Sequence, residues 1–127
     1  MLSYEVDGSI LILRASGTAT AVERGAVLDA VRADDRVANG APLLLDAREV
    51  DVIADKQVVV ERLRMLLRHL GPKLGQECAL LVSRRIRDLA DIFRSEAVGI
   101  GLRVELFGDE PAARRWLNSC SRWAKGP

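Results

Sequence analysis

The sequence has few aromatic residues, few cysteines and no long apolar segment, and each shortage excludes a class of protein. Aromatic residues make up 4% of the 127 residues, so the core has to be aliphatic. Two cysteines without a secretion signal fit a reducing compartment better than a disulfide-rich scaffold. Acids stand near the N-terminus where a signal peptide needs basic residues, and apolar runs such as residues 79–82 are too short to cross a bilayer. We therefore expect a cytoplasmic protein without a transmembrane segment.

The sequence also lacks the motifs of common catalytic sites. His69 is its single histidine, and its position near a predicted helix end suits a surface or capping role better than catalysis. No serine stands in a Gly-x-Ser-x-Gly elbow. Gly99 and Gly101 follow a helix rather than a strand, which is not the context of a dinucleotide-binding turn. We predict no enzymatic activity, no cofactor and no metal.

Excess charge of one sign is missing as well, since the net charge is only +1, which gives no reason to expect nucleic-acid binding. The charges are nevertheless uneven along the chain. Residues 1–55 carry 5 basic and 10 acidic side chains, whereas residues 56–127 carry 14 basic and 8 acidic ones. Such a distribution could attract a partner or favour a homodimer, although basic side chains often only keep helices soluble.

What the sequence does contain is a regular alternation of strand and helix patterns. A hairpin signal at Asp7-Gly8 joins the first two strands, and apolar residues recur at helical spacing in four later segments. The predicted order β-β-α-β-α-β-α-β-α indicates an α/β fold with a mostly parallel, five-stranded sheet and four helices. We assign residues 1–120 to a single domain and residues 121–127 to a frayed tail.

Acidic residues cluster after the apolar strand 43–45, in a segment predicted to be a loop from residue 46 to residue 53. Parallel sheets bind ligands at the carboxyl ends of their strands, so this position is of interest. Four acids here could hold a divalent cation, but the spacing is not that of a calcium loop, and roles in helix capping are the simpler interpretation. We therefore predict a surface that binds a partner or a ligand at Asp46, Glu49, Asp51, Asp55 and Lys56.

Arginines mark the second candidate segment, which follows the predicted strand 78–82. Arg84, Arg85 and Arg87 stand at the start of a predicted helix that Ser83 would cap. Backbone N–H groups and guanidinium groups together could hold a phosphate or a carboxylate there. The alternative is an ordinary solvated helix end. We add Arg84 and Arg85 to the predicted binding surface.

Three segments of the chain resemble a known family. They are MLSYE at residues 1–5, LLLDAR at residues 43–48, and RVELF at residues 103–107 followed by Trp116-Leu117. Together they are similar to the SpoIIAA-like proteins, bacterial relatives of the STAS domain found in anti-sigma-factor antagonists, over about residues 1–118. The resemblance implies a mixed sheet with strands in sequential order and one antiparallel edge strand.

The regulatory switch of that family has no counterpart in this sequence. Phosphorylatable STAS proteins carry an Asp-Ser-Ser/Thr-Gly motif at the start of the helix that follows a strand ending in Asp. Here the strand ends at Asp46, and residues 47–60 contain no Ser or Thr. Asp55 could supply a fixed negative charge at the equivalent place, although a carboxylate carries less charge than a phosphoserine.

The resemblance therefore implies a non-enzymatic binding or regulatory module that docks an unknown protein partner or a small ligand in the region 46–56. An alternative is carriage of a lipid or another small apolar ligand in the manner of CRAL-TRIO-like domains. That alternative needs a cavity between helices and sheet, for which Val59, Leu63, Ile86 and Phe93 are the expected lining. The same residues would fill an ordinary core, and we favour that interpretation.

Overall fold

The computed structural model describes residues 1–17, 19–50 and 56–125, with side chains as far as Cys120. Within those residues, five strands and four α-helices follow one another in the predicted order. Their bounds are β1 Leu2–Asp7, β2 Ile10–Ser16, α1 Ala21–Arg32, β3 Ala41–Glu49, α2 Lys56–Leu70, β4 Leu74–Leu81, α3 Arg87–Gly99, β5 Arg103–Phe107 and α4 Glu110–Lys125. Short 3₁₀ turns at Gly71–Lys73 and Arg84–Ile86 precede β4 and α3.

The five strands form one mixed sheet in the order β1-β2-β3-β4-β5. The edge strand β1 is antiparallel to β2, and the remaining neighbours are parallel. Gly8 makes the tight turn between β1 and β2 with a φ of 61°, a conformation that glycine adopts without strain. The predicted fold class, the sequential strand order and the antiparallel edge strand are thereby confirmed.

The two faces of the sheet are covered unequally. Each βαβ connection leads to the neighbouring strand on the same side, from β2 to β3, β4 and β5 in turn. Because βαβ connections are right-handed, their three helices lie on one face of the sheet. Accordingly α1, α2 and α3 pack together over one face, with Leu13, Leu43 and Leu80 in their core. Helix α4 covers the other face, where Leu117 packs with residues such as Leu44. The chain thus has three layers, and the central layer is the sheet.

Side chains cap two of the helices. The Oγ1 of Thr20 accepts a hydrogen bond of 3.1 Å from the backbone N–H of Glu23, so Thr20 caps α1. Asp109 caps α4 through its Oδ1, which lies 2.8 Å from the N–H of Ala112. The prediction that Ser83 caps the third helix is wrong, because a 3₁₀ turn intervenes and the Ser83 side chain makes no capping hydrogen bond.

Two strands are longer than their apolar runs. The prediction of a loop beginning at Asp46 is wrong, because β3 continues to Glu49 and pairs with β2 through Arg14–Asp46 and Ser16–Glu49. Strand β4 begins at Leu74 rather than at residue 78.

Helix α4 continues to Lys125, beyond the domain limit set at residue 120, and the fraying of residues 121–127 stays a prediction. In the part of the chain that the structure describes, no helix is long and apolar enough to span a membrane.

Candidate functional site

The carboxyl ends of β2, β3 and β4 lie at one edge of the sheet, the place where parallel sheets bind ligands. Alternate residues of a strand point to opposite faces of the sheet, so successive residues at the carboxyl end of β3 lie in two different environments. Asp46 and Arg48 point toward the α4 face, and Leu45 and Ala47 point toward the three-helix face. The first face holds a network of charges at this edge, and the second holds a cavity.

The charged network, called here the α4-face network, consists of Arg14, Asp46, Arg48, Glu110 and Arg114. Nη1 of Arg14 donates to Oδ2 of Asp46 at 2.8 Å and to Oε1 of Glu110 at 2.9 Å. Arg48 donates to Asp46 through Nε at 3.0 Å, Nη2 at 2.9 Å and its backbone N at 3.1 Å. Nε of Arg114 donates to Oε2 of Glu110 at 2.9 Å. These bonds join β2, β3 and the start of α4.

Both acids of the network are held in their charged form. Burial raises the pKa of Asp46, but the hydrogen bonds from Arg48 and Arg14 outweigh burial and leave that pKa below its usual range. The hydrogen bond from Arg14 lowers the pKa of Glu110. Asp46 is only 7% exposed, and its oxygens are occupied by arginine donors. The network therefore acts as a cross-link between strands and helix, and neither carboxylate is arranged as a proton acceptor for a substrate.

The remaining residues of the predicted acidic surface are separated from Asp46. Glu49 is exposed at the end of β3, and Lys56 is exposed at the start of α2, where its Nζ lies 4.0 Å from Oε1 of Glu96. Asp51 and Asp55 lie outside the described residues. Among the residues that are described, no three His, Cys, Asp or Glu side chains form a group that could hold a metal ion.

The arginines predicted at a helix start lie at the same edge of the sheet, after β4. Arg84 and Arg85 belong to the 3₁₀ turn, Arg87 begins α3, and all three side chains are exposed. His69 is elsewhere, in the last turn of α2, where its Nδ1 lies 2.7 Å from Oδ1 of Asp29 and links α2 to α1. This placement agrees with the surface role predicted for His69.

A cavity of about 110 Å³ lies on the three-helix face, between the carboxyl halves of the strands and helices α1, α2 and α3. Of the four residues expected to line such a cavity, Val59, Ile86 and Phe93 do so and Leu63 does not, and all four belong to the buried core. Leu45 lies in the central strand beneath three helices and is still only partly buried. Leu45 is one of the residues that line the cavity.

Two arginines provide the polar groups of the cavity wall, whose other members are all apolar. They are Arg24 of α1 and Arg62 of α2, neither of which was predicted from the sequence. A signal was present, because Arg62 follows Val59 by three residues and precedes Leu66 by four, which places it on the buried face of α2. An arginine within an apolar stripe is the pattern that could have found it.

Comparison with solved structures supports the fold. The chain is similar to the crystal structure of an anti-sigma factor antagonist from Mycobacterium paratuberculosis, with 19% sequence identity, a TM-score of 0.57 and coverage of 93% of each chain. No protein-family model matches the chain, and no curated protein matches it. The predicted resemblance to anti-sigma-factor antagonists is therefore confirmed at the level of the fold.

Proposed function

We propose that this chain is a non-enzymatic regulatory module that docks a protein partner at the carboxyl edge of its sheet. The observation that carries the proposal is the set of exposed charged side chains that follow the carboxyl ends of β3 and β4, called here the edge patch: Glu49, Lys56, Arg84, Arg85 and Arg87. Three of these side chains are arginines, so we assign to the partner carboxylate groups that pair with them. The likeness in fold to an anti-sigma factor antagonist supports a role in binding another protein.

Docking in this proposal does not depend on phosphorylation of the helix that follows β3. Residues 47–60 contain no Ser or Thr, so a serine or threonine kinase has no acceptor there. Asp46 takes no direct part in docking, since its oxygens are occupied in the α4-face network. The partner instead contacts the exposed side chains of the edge patch. The affinity for the partner falls as added salt screens the charges of these side chains.

The experiment compares two double variants that remove the same number of positive charges. The docking variant is R84E/R85E, and the control is R64E/R68E, which changes two exposed arginines on α2 away from the edge patch. Proteins captured from a lysate of the source organism are quantified for wild type and both variants. A partner retained by the control and lost by the docking variant supports the proposal. A partner retained equally by both variants contradicts it.

A second candidate function, carriage of a small apolar ligand, is favoured by one specific observation, the cavity beneath α1, α2 and α3. An engineered apolar cavity of about 150 Å³ binds benzene, so a cavity of about 110 Å³ is adequate for a group of a few carbon atoms. Native mass spectrometry of freshly purified protein tests this function directly. A bound species of low mass supports carriage of an apolar ligand. A control with a deliberately added ligand shows that the conditions preserve complexes, and under those conditions a ligand-free spectrum of the purified protein counts against this function.

A further inference from the structure

The charges of Arg24 and Arg62 are poorly compensated by the protein itself. Arg24 donates through Nη1 to the carbonyl oxygen of Ala19, but its Nε is buried and has no hydrogen-bond partner in the described part of the chain. Among the described residues, no carboxylate lies within ion-pair distance of either guanidinium. Burial lowers the pKa of Arg62, and the nearby Arg24 guanidinium lowers it further. Within residues 1–17, 19–50 and 56–120, this pair of cations therefore has no anionic partner.

The other cavity-lining residues that the structure describes are all apolar. Strand residues such as Leu13 and Leu80, and helix residues such as Met65 and Phe93, supply an aliphatic and aromatic surface. An anion without an apolar portion would leave this surface in contact with water, and an apolar molecule without a charge would leave both guanidinium groups uncompensated. The lining therefore fits a molecule that combines the two properties.

We propose that the cavity binds a small amphipathic anion, with its oxyanion head against Arg24 and Arg62 and one short aliphatic chain among the apolar side chains. Guanidinium groups donate paired hydrogen bonds to planar oxyanions, so a carboxylate is the simplest head group that satisfies them. The volume of about 110 Å³ limits the chain to a few carbons. This inference rests on the second candidate function and specifies the chemistry of its ligand.

Isothermal titration calorimetry with hexanoate as the probe tests the inference on the full-length chain. Three matched ligands are compared with hexanoate. Acetate lacks the long aliphatic chain, 1-hexanol lacks the charge, and hexylammonium carries a charge of the opposite sign. We expect hexanoate to bind at least about 10-fold more tightly than 1-hexanol, because charge-assisted hydrogen bonds contribute that much. Lengthening the chain from butanoate should tighten binding about 4-fold for each methylene that enters the cavity, until the cavity is filled.

Variants R62Q and R24Q identify the head-group site, and R64Q on the exposed face of α2 is the control. Each cavity variant should weaken hexanoate at least about 10-fold and change 1-hexanol less than about 2-fold, whereas R64Q changes neither. The melting temperature of R62Q without ligand should equal or exceed that of wild type, because a partly buried cation without a counter-charge has been removed. A purely structural arginine would instead lower it.

The outcomes separate this inference from the functions proposed above. Equal affinities for hexanoate and 1-hexanol would overturn the anionic head group while leaving carriage of a neutral apolar ligand in place. Hexanoate affinity unchanged in both R62Q and R24Q would overturn the site. Absence of binding by all four ligands would overturn both cavity functions, and the R84E/R85E experiment would still decide the docking function independently.

Discussion

Replacing Asp46 by Asn tests whether the α4-face network holds β2, β3 and α4 together. The wild-type carboxylate accepts four hydrogen bonds, one from Arg14 and three from Arg48. Asn has nearly the same size but only one acceptor oxygen, and its NH₂ group would face guanidinium donors. The substitution thus removes the charge and introduces a clash between donors without creating a cavity.

The magnitude follows from the burial of the partners. Breaking a fully buried ion pair costs about 3–5 kcal/mol, because the remaining charge stays buried without compensation. Here the side chains of Arg14 and Arg48 are 35% and 37% exposed, so both can recover part of their hydration. We therefore expect a loss of about 2 kcal/mol, which lowers the melting temperature of a domain of this size by about 8 °C.

Urea unfolding followed by circular dichroism measures the loss, and E105Q is the control. Glu105 pairs with Arg94 at 3.4 Å, but both side chains are nearly half exposed, so its removal should cost less than about 0.5 kcal/mol. If D46N lost no more stability than E105Q, the conclusion that the buried network fastens the strands to α4 would be wrong.

The same variant predicts a difference in acid stability. The pKa of Asp46 is lowered in the folded protein, so its contribution to stability is present above the unfolded pKa of about 3.9 and is lost as the pH falls through the folded value. Wild type and D46N should therefore differ most near neutral pH and converge in acid. Urea curves recorded at about pH 7 and about pH 3 check this, and an undiminished gap at the lower pH would refute the assignment.

Further predictions concern glycine packing and thiol reactivity. Gly75→Ala should destabilise the protein by about 2 kcal/mol in urea unfolding, because the new Cβ would lie 2.4 Å from the backbone oxygen of Gly40. Gly99→Ala, where nothing lies within 4 Å, should be neutral or stabilising by up to about 1 kcal/mol, and equal losses in both variants would contradict the close approach at Gly75. Cys78 and Cys120 are buried, and burial raises the pKa of Cys78 to about 12 and also raises that of Cys120. A chromogenic disulfide reagent should react with both thiols only in denaturant, and a rapid reaction with native protein would refute their burial.

The elements that depend on local sequence pattern were predictable, and the exceptions have a physical reason. Helix α2 follows from the spacing of Val59, Leu63, Leu66 and Leu70, all of which are buried. The end of β3 did not follow from its sequence, because the run Asp-Ala-Arg-Glu at residues 46–49 has the polarity of a loop. It remains a strand since partners distant in sequence pair with its charges. Arg14 is 32 residues away from Asp46 and 96 away from Glu110.

The candidate site was predictable only in outline. The carboxyl edge followed from the parallel sheet, and Val59, Ile86 and Phe93 line the cavity while belonging to the buried core, so carriage of an apolar ligand stays a prediction. Whether three helices leave a void depends on the sum of their packing, which no single segment encodes. Docking at Glu49, Asp51, Asp55, Lys56, Arg84 and Arg85 stays a prediction, and so does a homodimer.

Charged side chains are paired on the α4 face of the sheet, whereas the arginines on the three-helix face have no carboxylate partner among the described residues. This contrast favours ligand binding on the three-helix face. On the α4 face the carboxylates of Asp46 and Glu110 meet guanidinium donors, so this face contributes stability without needing a ligand. On the other face, two guanidinium groups share an apolar wall and, within the described residues, have no carboxylate partner. Uncompensated like charges reduce stability, and such local conflicts concentrate at functional sites. An anionic ligand would resolve the conflict by supplying on the three-helix face the counter-charge that the protein supplies on the α4 face.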